Sequence, residues 1–464
     1  MIGGCASSTH AAGTHGRRGP VPIELTVRPP AAAEQPWYHL LDGDRPQVFI
    51  VDNSALFAVS DDFAAALATG EASAEAELAA YRPRRQPPAA LESLPPVRAI
   101  SLNVAQSCNL VCSYCYADEG RFGQAPRRMP QQVARRAIDD LIAPATPGDS
   151  ILVGFIGGEP MLNRPLVHDC VDYATARGHA AGVTVGFSIT TNATLLQPGD
   201  LDLFRAHPFA VTVSLDGGRR THDRHRRRRD GSGSWEQVIA GIGGLLKHPG
   251  TAKVSARATI TRDDLDVAGI VRDITAAGFP EVGVSPARTG PNTAVLLAGS
   301  DWQRYLEGLI AAARAEISRL RAHGPAGGWQ FGNLGQAMAE IHRGTCRPLP
   351  CGAAYGYVSV DVDGRYATCH RTIGDARFAL GELGALSGEA RAAFVQTRLV
   401  DTQEPCRSCW ARYLCGGGCH AEVSEVGRAG CDMIRGWLDF CLAYYPGLQT
   451  EFPALFAPER LTQP

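Results

Sequence analysis

The chain has 464 residues, of which 45% are hydrophobic and 20% are charged, and its formal net charge at pH 7 is −2. This composition predicts a globular protein with a sizeable core, and the charge argues against a nucleic-acid coat or a polybasic membrane anchor. No apolar run reaches the ~18 residues of a spanning helix, and the N-terminus lacks the apolar segment of a secretory signal. We therefore expect a cytoplasmic protein of about three domains.

The N-terminal region divides into a tail and a small module. Residues 1–35 are rich in Gly, Ser and Ala, and we expect them to be a disordered tail. The next residues contain three short strand-like runs separated by DGD and DNS turns. DDFAAALATG, with an Asp as its cap, and ASAEAELAAY are helix candidates, and a Pro-rich linker follows. We predict a small α+β module with its linker over 36–97, either a docking module or an extra layer on the next domain.

Between residues 98 and 330, strand-like stretches alternate with helical ones. The strand-like stretches between the helical ones are ILVGFIGGEP, VTVGFSITTNA, FAVTVSLDG, KVSARATIT and EVGVSPAR. This alternation predicts a parallel α/β sheet with crossover helices, and such sheets bind ligands at the carboxyl ends of their strands. DWQRYLEGLIAAARAEISRLRAH predicts a long amphipathic helix that leads to a Cys-rich C-terminal domain over 331–464, which ends in a further helix.

Fourteen cysteines in a chain without an export signal indicate metal ligands or catalysis rather than disulfides. Cys108, Cys112 and Cys115 form a C-x3-C-x2-C run directly after the strand-like AISLNVAQS. Because iron–sulfur clusters normally take four Cys ligands, three ligands leave one iron open, which indicates a reactive site. Zinc also takes thiolates, but no second Cys pair and no His partner lies nearby in the sequence.

This cysteine run resembles the signature of the radical S-adenosylmethionine (SAM) superfamily, and Tyr114, before the last Cys, also matches. The resemblance implies that the three thiolates hold a [4Fe–4S] cluster whose open iron is chelated by the amino and carboxylate groups of SAM. Reduction then cleaves SAM into methionine and a 5′-deoxyadenosyl radical. The protein binds and orients the cofactor and excludes water from the site. The resemblance also implies that the α/β region is a partial (β/α)6 TIM-type barrel.

Three strand-end motifs match the superfamily. GGEP resembles the loop that contacts the SAM amino group, with Gly allowing close approach of the backbone. TNA resembles the TNG motif, with Ala193 where Gly is usual, and its polar side chains suit ribose hydroxyls. SLDGGRRTHDRHR resembles SLDGPxxxHDxxR, whose final Arg reaches the SAM carboxylate. The predicted cofactor-binding residues are Gly157, Gly158, Glu159, Pro160, Thr190, Asn192, Ser214 and Arg226.

Seven arginines fall between residues 219 and 229. A solvated loop is the simplest interpretation of such a basic run, and RNA binding is poorly supported because no aromatic side chains interleave to stack bases. We expect Arg226 to serve SAM and the other arginines to form a mouth for an acidic peptide.

A second group of cysteines, Cys406-x2-Cys409-x5-Cys415-x3-Cys419, resembles the core of the SPASM domain of radical SAM maturases. YVSVDVDGRYATCHR predicts a β-hairpin around a DG turn that delivers Cys369 to a cluster. The resemblance implies two auxiliary [4Fe–4S] clusters, one held by Cys346, Cys351, Cys369 and Cys419, the other by Cys406, Cys409, Cys415 and Cys431. Cys346 and Cys431 are the looser matches, and Zn(Cys)4 sites or purely structural clusters remain alternatives.

The flanking segments resemble maturases that form thioether bridges in ribosomal peptides. Formylglycine-forming sulfatase maturases are similar, but an Asp follows their counterpart of Cys369, where this chain has His370. We consider His370 as a catalytic acid or base, or as a hydrogen-bonding partner of the cluster, with the second role favoured.

We therefore expect a radical SAM peptide maturase that installs a cross-link in a ribosomally synthesised peptide, with a thioether to Cys favoured. The alternatives are a carbon–carbon, cyclophane-type cross-link, formylglycine formation, and a non-catalytic Zn or Fe–S scaffold. The expected cofactors are SAM and three [4Fe–4S] clusters, one binding SAM and two auxiliary. The expected partners are a precursor peptide and a reductant such as flavodoxin or ferredoxin, with no nucleic acid and no membrane.

Overall fold

The computed structural model describes residues 36–41, 46–82 and 93–457. The expected tail, the DGD turn and most of the Pro-rich linker lie outside these residues. No helix within them combines the length and hydrophobicity needed to cross a membrane.

The N-terminal module has the three strands and two helices that the sequence predicts. They are β1 (Tyr38–Leu41), β2 (Gln47–Ile50), β3 (Ala55–Ala58), α1 (Asp61–Ala68) and α2 (Ala72–Ala79), and the strands form an antiparallel sheet in chain order. The cap of α1 is Ser60, whose Oγ accepts from Phe63 N at 3.2 Å, and not an Asp. Asp61 and Asp62 fall in the first turn, where negative charge favours the helix dipole.

Six parallel strands follow in the order β4 to β9, and they confirm the predicted α/β fold. The elements are β4 (Ala99–Ala105), α3 (Gln131–Ile142), β5 (Ser150–Gly157), α4 (Arg164–Ala181), β6 (Thr184–Thr191), α5 (Pro198–Ala206), β7 (Phe209–Ser214), α6 (Arg219–His225), α7 (Trp235–Lys247), β8 (Lys253–Ile260), α8 (Val267–Ala276), β9 (Val282–Pro286), α9 (Asp301–His323) and α10 (Gly332–His342). Each strand pairs with its sequence neighbour, so the connections cross over on one side as the (β/α)6 arrangement requires.

The C-terminal region continues the same sheet. Its elements are β10 (Tyr357–Val360), β11 (Arg365–Ala367), β12 (Ala379–Glu382), β13 (Ala385–Leu386), α11 (Gly388–Arg398), α12 (Arg412–Cys415), α13 (His420–Val426) and α14 (Cys431–Glu451). The predicted hairpin is β10–β11, and β10 also pairs in parallel with β4, so the sheet has ten strands. The Cys-rich region is therefore built onto the barrel through backbone hydrogen bonds.

The last barrel strands alternate between an apolar and a polar face. In β8 the residues Val254, Ala256, Ala258 and Ile260 are buried, and those between them are not. In most parallel sheets both faces are apolar because both are covered. Here the inner face is polar and lines a large cavity, through Thr212, Ser214, Lys253, Ser255, Arg257, Thr259 and Ser285. The barrel therefore encloses a polar chamber instead of a packed interior.

The N-terminal module is attached to the Cys-rich region through buried polar contacts. Arg412 Nη2 donates to Asp52 Oδ1 at 3.0 Å, and these side chains are only 3% and 4% exposed. Arg82 pairs with the other Asp52 oxygen at 2.5 Å. The imidazole of His39 stacks on Trp410 at 3.9 Å between ring centroids. Because two basic groups share Asp52, this carboxylate is the central contact of the interface.

We expect Asp52→Ala to weaken this attachment strongly. Leaving Arg412 buried without its partner costs about 3 kcal/mol or more, and the apparent melting temperature should fall by several degrees. Asp202→Ala is the matched control, because Asp202 is 73% exposed and its ion pair with Arg205 lies at the surface. Thermal unfolding of both variants, followed by circular dichroism, checks this expectation. Equal melting temperatures would show that Asp52 does not hold the module.

Candidate active site

The three cysteines of the C-x3-C-x2-C run lie on a loop that follows β4, at the carboxyl end of the sheet. Cys108, Cys112 and Cys115 are each half-buried, and all three line the chamber, whose volume is about 1460 Å³. The predicted residues Gly157, Gly158, Thr190, Asn192, Ser214 and Arg226 line the same chamber. Motifs from four different strands thus meet at one cavity, as their strand-end positions predict.

The two glycines of GGEP seat the cysteine loop against β5. A Cβ on Gly158 would lie 2.3 Å from the carbonyl oxygen of Ser107, and one on Gly157 would lie 2.4 Å from that of Ala105. Gly158 N also donates to Ala105 O at 2.9 Å. The sequence predicts these glycines from the need for close approach to a ligand. In the structure the close approach is made by the loop that carries the cysteines.

The Glu159 carboxylate is used inside the fold, which corrects its predicted role as acceptor for the SAM ammonium group. It is fully buried, and Oε1 accepts from Thr191 Oγ1 at 2.7 Å and Met161 N at 3.0 Å, while Oε2 accepts from Asn192 N at 2.7 Å. Burial raises the pKa of Glu159, and these hydrogen bonds oppose that rise. Pro160 is buried too and begins a short 3-10 turn, so it positions this carboxylate.

Asn192 connects the end of β6 to the cysteine loop. Its Nδ2 donates to Asn109 Oδ1 at 2.9 Å and approaches Cys108 Sγ at 3.7 Å. The amide of Leu110 donates to the same sulfur at 3.4 Å. Ala193 keeps the left-handed backbone, with φ of 58°, that Gly normally provides in this motif. The sequence departure at this position therefore leaves the turn unchanged.

Arg226 lies between an acidic side chain and the cysteine loop. Its Nε donates to Asp216 Oδ2 at 2.9 Å, and its Nη1 lies 4.0 Å from Cys112 Sγ. Tyr114 donates to the same Asp216 oxygen, and Thr259 N donates to Oδ1 at 2.9 Å. Burial would raise the pKa of Asp216, but Arg226 and these hydrogen bonds hold it below its ordinary value. Arg226 is thus a fixed cation beside Cys112, and its contact to a SAM carboxylate remains a prediction.

The other arginines of the basic run do not line the chamber, which of this run only Arg226 reaches, so the expected cationic mouth is not found there. Four of these six arginines form ion pairs inside the chain: Arg219 with Glu236, Arg224 with Asp264, Arg228 with Asp230 and Arg229 with Glu119. Arg229 also donates to the Cys108 carbonyl oxygen at 2.9 Å. Part of the run therefore braces the cysteine loop.

Three of the cysteines predicted for the first auxiliary group lie together beside the chamber. Cys369 and Cys419 are near enough to Cys351 to add to the rise that burial causes in its pKa. Tyr116, which is 39% exposed, is within electrostatic range of Cys115 of the cysteine loop and of Cys369 and Cys419. One aromatic side chain thus lies near both cysteine groups.

Cys346 does not join that group, which corrects its predicted place as the fourth ligand. Its Sγ donates to the Asp52 carbonyl oxygen at 3.7 Å. Burial raises its pKa to about 11, and the charges that act on it are those of Asp401, Asp52 and Arg412. The short spacing to Cys351 suggested a shared site, but the chain turns Cys346 towards the N-terminal module.

The cysteines predicted for the second auxiliary group do come together. Cys406, Cys409, Cys415 and Cys431 all line one cavity beneath α12 and α14. Burial raises the pKa of Cys406 to about 11, and the other three cysteines contribute to that rise. Cys431 was a loose match in the sequence, and its position at the start of α14 brings it to this cavity.

The surroundings of the cysteine loop suit the thiolate ligands of an iron–sulfur cluster. The half-buried thiols of the cysteine loop, with amide and guanidinium donors at Cys108 and Cys112, are the ligand type that iron–sulfur clusters use. These residues fit a [4Fe–4S] cluster.

A family model described as the radical SAM superfamily matches residues 102–260 of the chain. Residues 102–260 form a radical SAM domain. The chain is an enzyme, and the alternative of a non-catalytic scaffold is wrong. The radical SAM family implies a [4Fe–4S] cluster together with SAM as the cofactors of this domain.

Among similar curated proteins is a "Serine-type anaerobic sulfatase-maturating enzyme" from Klebsiella aerogenes, 25% identical over 371 residues, which cover 76% of this chain and 86% of that protein. Solved structures share the fold. The structure of anSMEcpe with bound AdoMet and Cp18Cys peptide matches with a TM-score of 0.60 at 16% identity, and the match covers 77% of this chain and 99% of the anSMEcpe chain. The structure of Streptococcus suis SuiB bound to precursor peptide SuiA matches with a TM-score of 0.50 at 13% identity, and the match covers 82% of this chain and 93% of the SuiB chain.

His370 lies on the chamber wall of this enzyme. Its Nδ1 and the Tyr357 hydroxyl hydrogen-bond at 3.1 Å, and the same hydroxyl lies 2.7 Å from Ser101 Oγ. Burial lowers the pKa of His370 to about 4, so the ring is neutral near pH 7. This geometry agrees better with a structural partner of the Cys369 group than with a proton donor.

Sequence reasoning missed a charged group beside Tyr116. Arg371 and Arg288 share the carboxylate of Glu422, with N–O distances of 3.3 and 3.1 Å. The guanidinium of Arg371 also lies over the Tyr116 ring, 4.3 Å from its centroid. The available signal was position: Arg371 follows Cys369 by two residues and Glu422 follows Cys419 by three.

We expect Cys346→Ser to keep the full iron complement of the reconstituted protein, because its sulfur lies apart from the other cysteines. Cys351→Ser, in contrast, should lose about one cluster's worth of iron, since the thiolate is the metal ligand. Anaerobic reconstitution followed by iron and sulfide analysis compares the two variants. Equal iron loss in both would return Cys346 to the ligand set.

Proposed function

We propose that this enzyme is a radical SAM maturase that installs a cross-link in a ribosomally synthesised peptide, with a thioether to Cys favoured. The observation that carries the proposal is the chamber itself. Cys108, Cys112 and Cys115 line it together with His370, Arg371 and Glu422 of the Cys-rich region. A substrate held there would contact the radical SAM domain and the first auxiliary group at the same time.

The chamber has room for a substrate beside the cofactors. Pockets for single small ligands occupy about 300–1000 Å³, and this chamber, which would also contain the cluster and SAM, holds about 1460 Å³. The polar inner faces of β7 to β9 provide hydrogen-bonding groups along its length, as an extended peptide requires. Peptides are bound in two of the similar structures, anSMEcpe and SuiB.

The cofactors, when bound, supply the 5′-deoxyadenosyl radical that removes a hydrogen atom from a substrate carbon. The protein's own residues hold the cysteine loop in place, through the glycine pair, Glu159 and Arg229. Gly157, Gly158, Thr190, Asn192, Ser214 and Arg226 are the residues that we propose for SAM. Tyr116 lies near both the cysteine loop and the first auxiliary group.

Thioether formation leaves one electron to be removed. The hydrogen atom goes to the deoxyadenosyl group, the peptide thiol gives up its proton, and a carbon–sulfur bond forms from the carbon radical and the thiolate. One electron must then leave the product. We propose that clusters held by Cys351, Cys369 and Cys419, and by the four cysteines around α12, provide the acceptors, and that flavodoxin or ferredoxin supplies the first reduction.

Formylglycine formation is the second candidate, and the similarity to the sulfatase-maturating enzyme favours it. Against it stands His370, where the sulfatase maturases carry an Asp after their counterpart of Cys369. His370 is hydrogen-bonded to Tyr357 and neutral near pH 7, so it does not reproduce a carboxylate. A carbon–carbon cross-link would use the same chamber and the same electron balance.

We expect Cys112→Ala to abolish SAM cleavage, because a ligand of the SAM-binding cluster is lost. Cys409→Ala should keep part of the cleavage but lose the peptide product, since the electron acceptor is damaged. Chromatographic measurement of 5′-deoxyadenosine, alongside peptide mass spectra, separates these effects. Full product from Cys409→Ala would show that the second auxiliary group is dispensable.

The product identifies the reaction. We expect a short Cys-bearing peptide encoded beside the gene to lose two hydrogens when incubated with the enzyme, SAM and dithionite, and its Cys to resist alkylation. A carbon–carbon link would also remove two hydrogens but leave the thiol open to alkylation. An aldehyde that reacts with a hydrazide probe would indicate formylglycine. If the peptide mass stayed unchanged while 5′-deoxyadenosine accumulated, the hypothesis that the enzyme modifies this peptide would be wrong.

A further inference from the structure

The group formed by Arg288, Glu422 and Arg371 carries one net positive charge at the wall of the chamber. Their side chains are 18%, 13% and 23% exposed, so solvent reaches them only in part. Arg288 and Glu422 also line the cavity of the second auxiliary group. The group therefore lies between the chamber and both sets of C-terminal cysteines.

The group is rigidly held from two sides. Arg371 Nη2 donates to Thr289 Oγ1 at 2.8 Å, and its guanidinium stacks on Tyr116. Arg288 stacks on Trp302, with its guanidinium carbon 5.3 Å from the ring centroid. The Nε atoms of Arg288 and Arg371 are buried and have no hydrogen-bond partner among the described residues. Buried donors of this kind are normally satisfied, so these two nitrogens are available to a further acceptor.

Iron-bound thiolates beside the group would supply a negative charge. Arg371 follows Cys369 by two residues and its backbone amide hydrogen-bonds to the Cys369 sulfur, while Glu422 follows Cys419 by three residues. Cysteine ligands are deprotonated when they bind metal, and a cluster becomes more negative by one charge when it is reduced. A nearby buried cation is poorly screened and stabilises the reduced form.

We propose that Arg371, assisted by Arg288 and opposed by Glu422, raises the reduction potential of the cluster held by Cys351, Cys369 and Cys419. This inference rests on the proposed function in one respect, because a raised potential suits an acceptor for the electron left by cross-linking. Arg371 acts through the cluster and is therefore a positioning residue. The potential can be measured without any peptide, so the inference can fail while the proposed function stands.

The test is a redox titration of the anaerobically reconstituted full chain with dithionite and mediators, followed by electron paramagnetic resonance. The signal missing from Cys351→Ser identifies the cluster. Arg371→Gln should shift its midpoint to lower potential, and Glu422→Gln should shift it to higher potential. Arg371→Lys should stay near the wild type because the charge is kept. Arg377→Gln is the control, since Arg377 is 69% exposed and pairs only with Asp375.

Opposite shifts from the two neutralising substitutions support the inference, because structural damage would move both variants in the same direction. Shifts of the same sign, or no shift with a full iron complement, would overturn it. If Arg371→Gln does not load the cluster, Arg288→Gln and Glu422→Gln carry the same test with the same opposite signs. Peptide-free titration also keeps this outcome separate from a failure to make any cross-linked product, which would overturn the proposed function alone.

Discussion

The active chamber depends on one buried carboxylate. Glu159 joins the end of β5 to the end of β6 through two hydrogen bonds, from Thr191 and Asn192, and a third comes from the nearby Met161 amide. The preceding glycines let the cysteine loop lie directly on the strand end. Fully burying a carboxylate is costly unless its oxygens are satisfied. The fold meets this cost with amide and hydroxyl donors from the neighbouring strand. Cys108 is thereby held next to Asn192, and the other cysteines follow from the course of the loop.

The parallel pairing of β10 with β4 sets the position of the auxiliary group relative to that loop. Tyr357, the first residue of β10, aligns with Ala99, and its hydroxyl reaches Ser101 of β4 on one side and His370 on the other. Cys369 directly precedes His370. Backbone register therefore transmits the geometry of the barrel to the cysteines of the C-terminal region. A flexibly tethered domain would not hold Cys369 in a fixed position relative to the cysteine loop.

The sequence was sufficient where local pattern determines structure. The alternation of strand-like and helical stretches predicted the barrel, and alternating apolar residues predicted the hairpin around Gly364. The strand-end positions predicted that the cysteine loop, Asn192, Ser214 and Arg226 would meet. It failed where contacts join distant segments. The pairing of β10 with β4 joins residues about 250 positions apart. The role of Glu159 and the separation of Cys346 from Cys351 depend on tertiary contacts that spacing does not encode.

Cys346 shows how the N-terminal module is coupled to the metal-binding region. The carbonyl oxygen of Asp52 accepts from Cys346 and its carboxylate accepts from Arg412, so one residue of the module makes both contacts. Arg412 begins α12, donates to the Cys409 carbonyl oxygen at 3.2 Å and lines the cavity of the second auxiliary group. Removing the module would leave the buried Arg412 guanidinium with only the more distant Asp401 carboxylate, at 3.9 Å. The module therefore helps to fix the cavity that holds these cysteines.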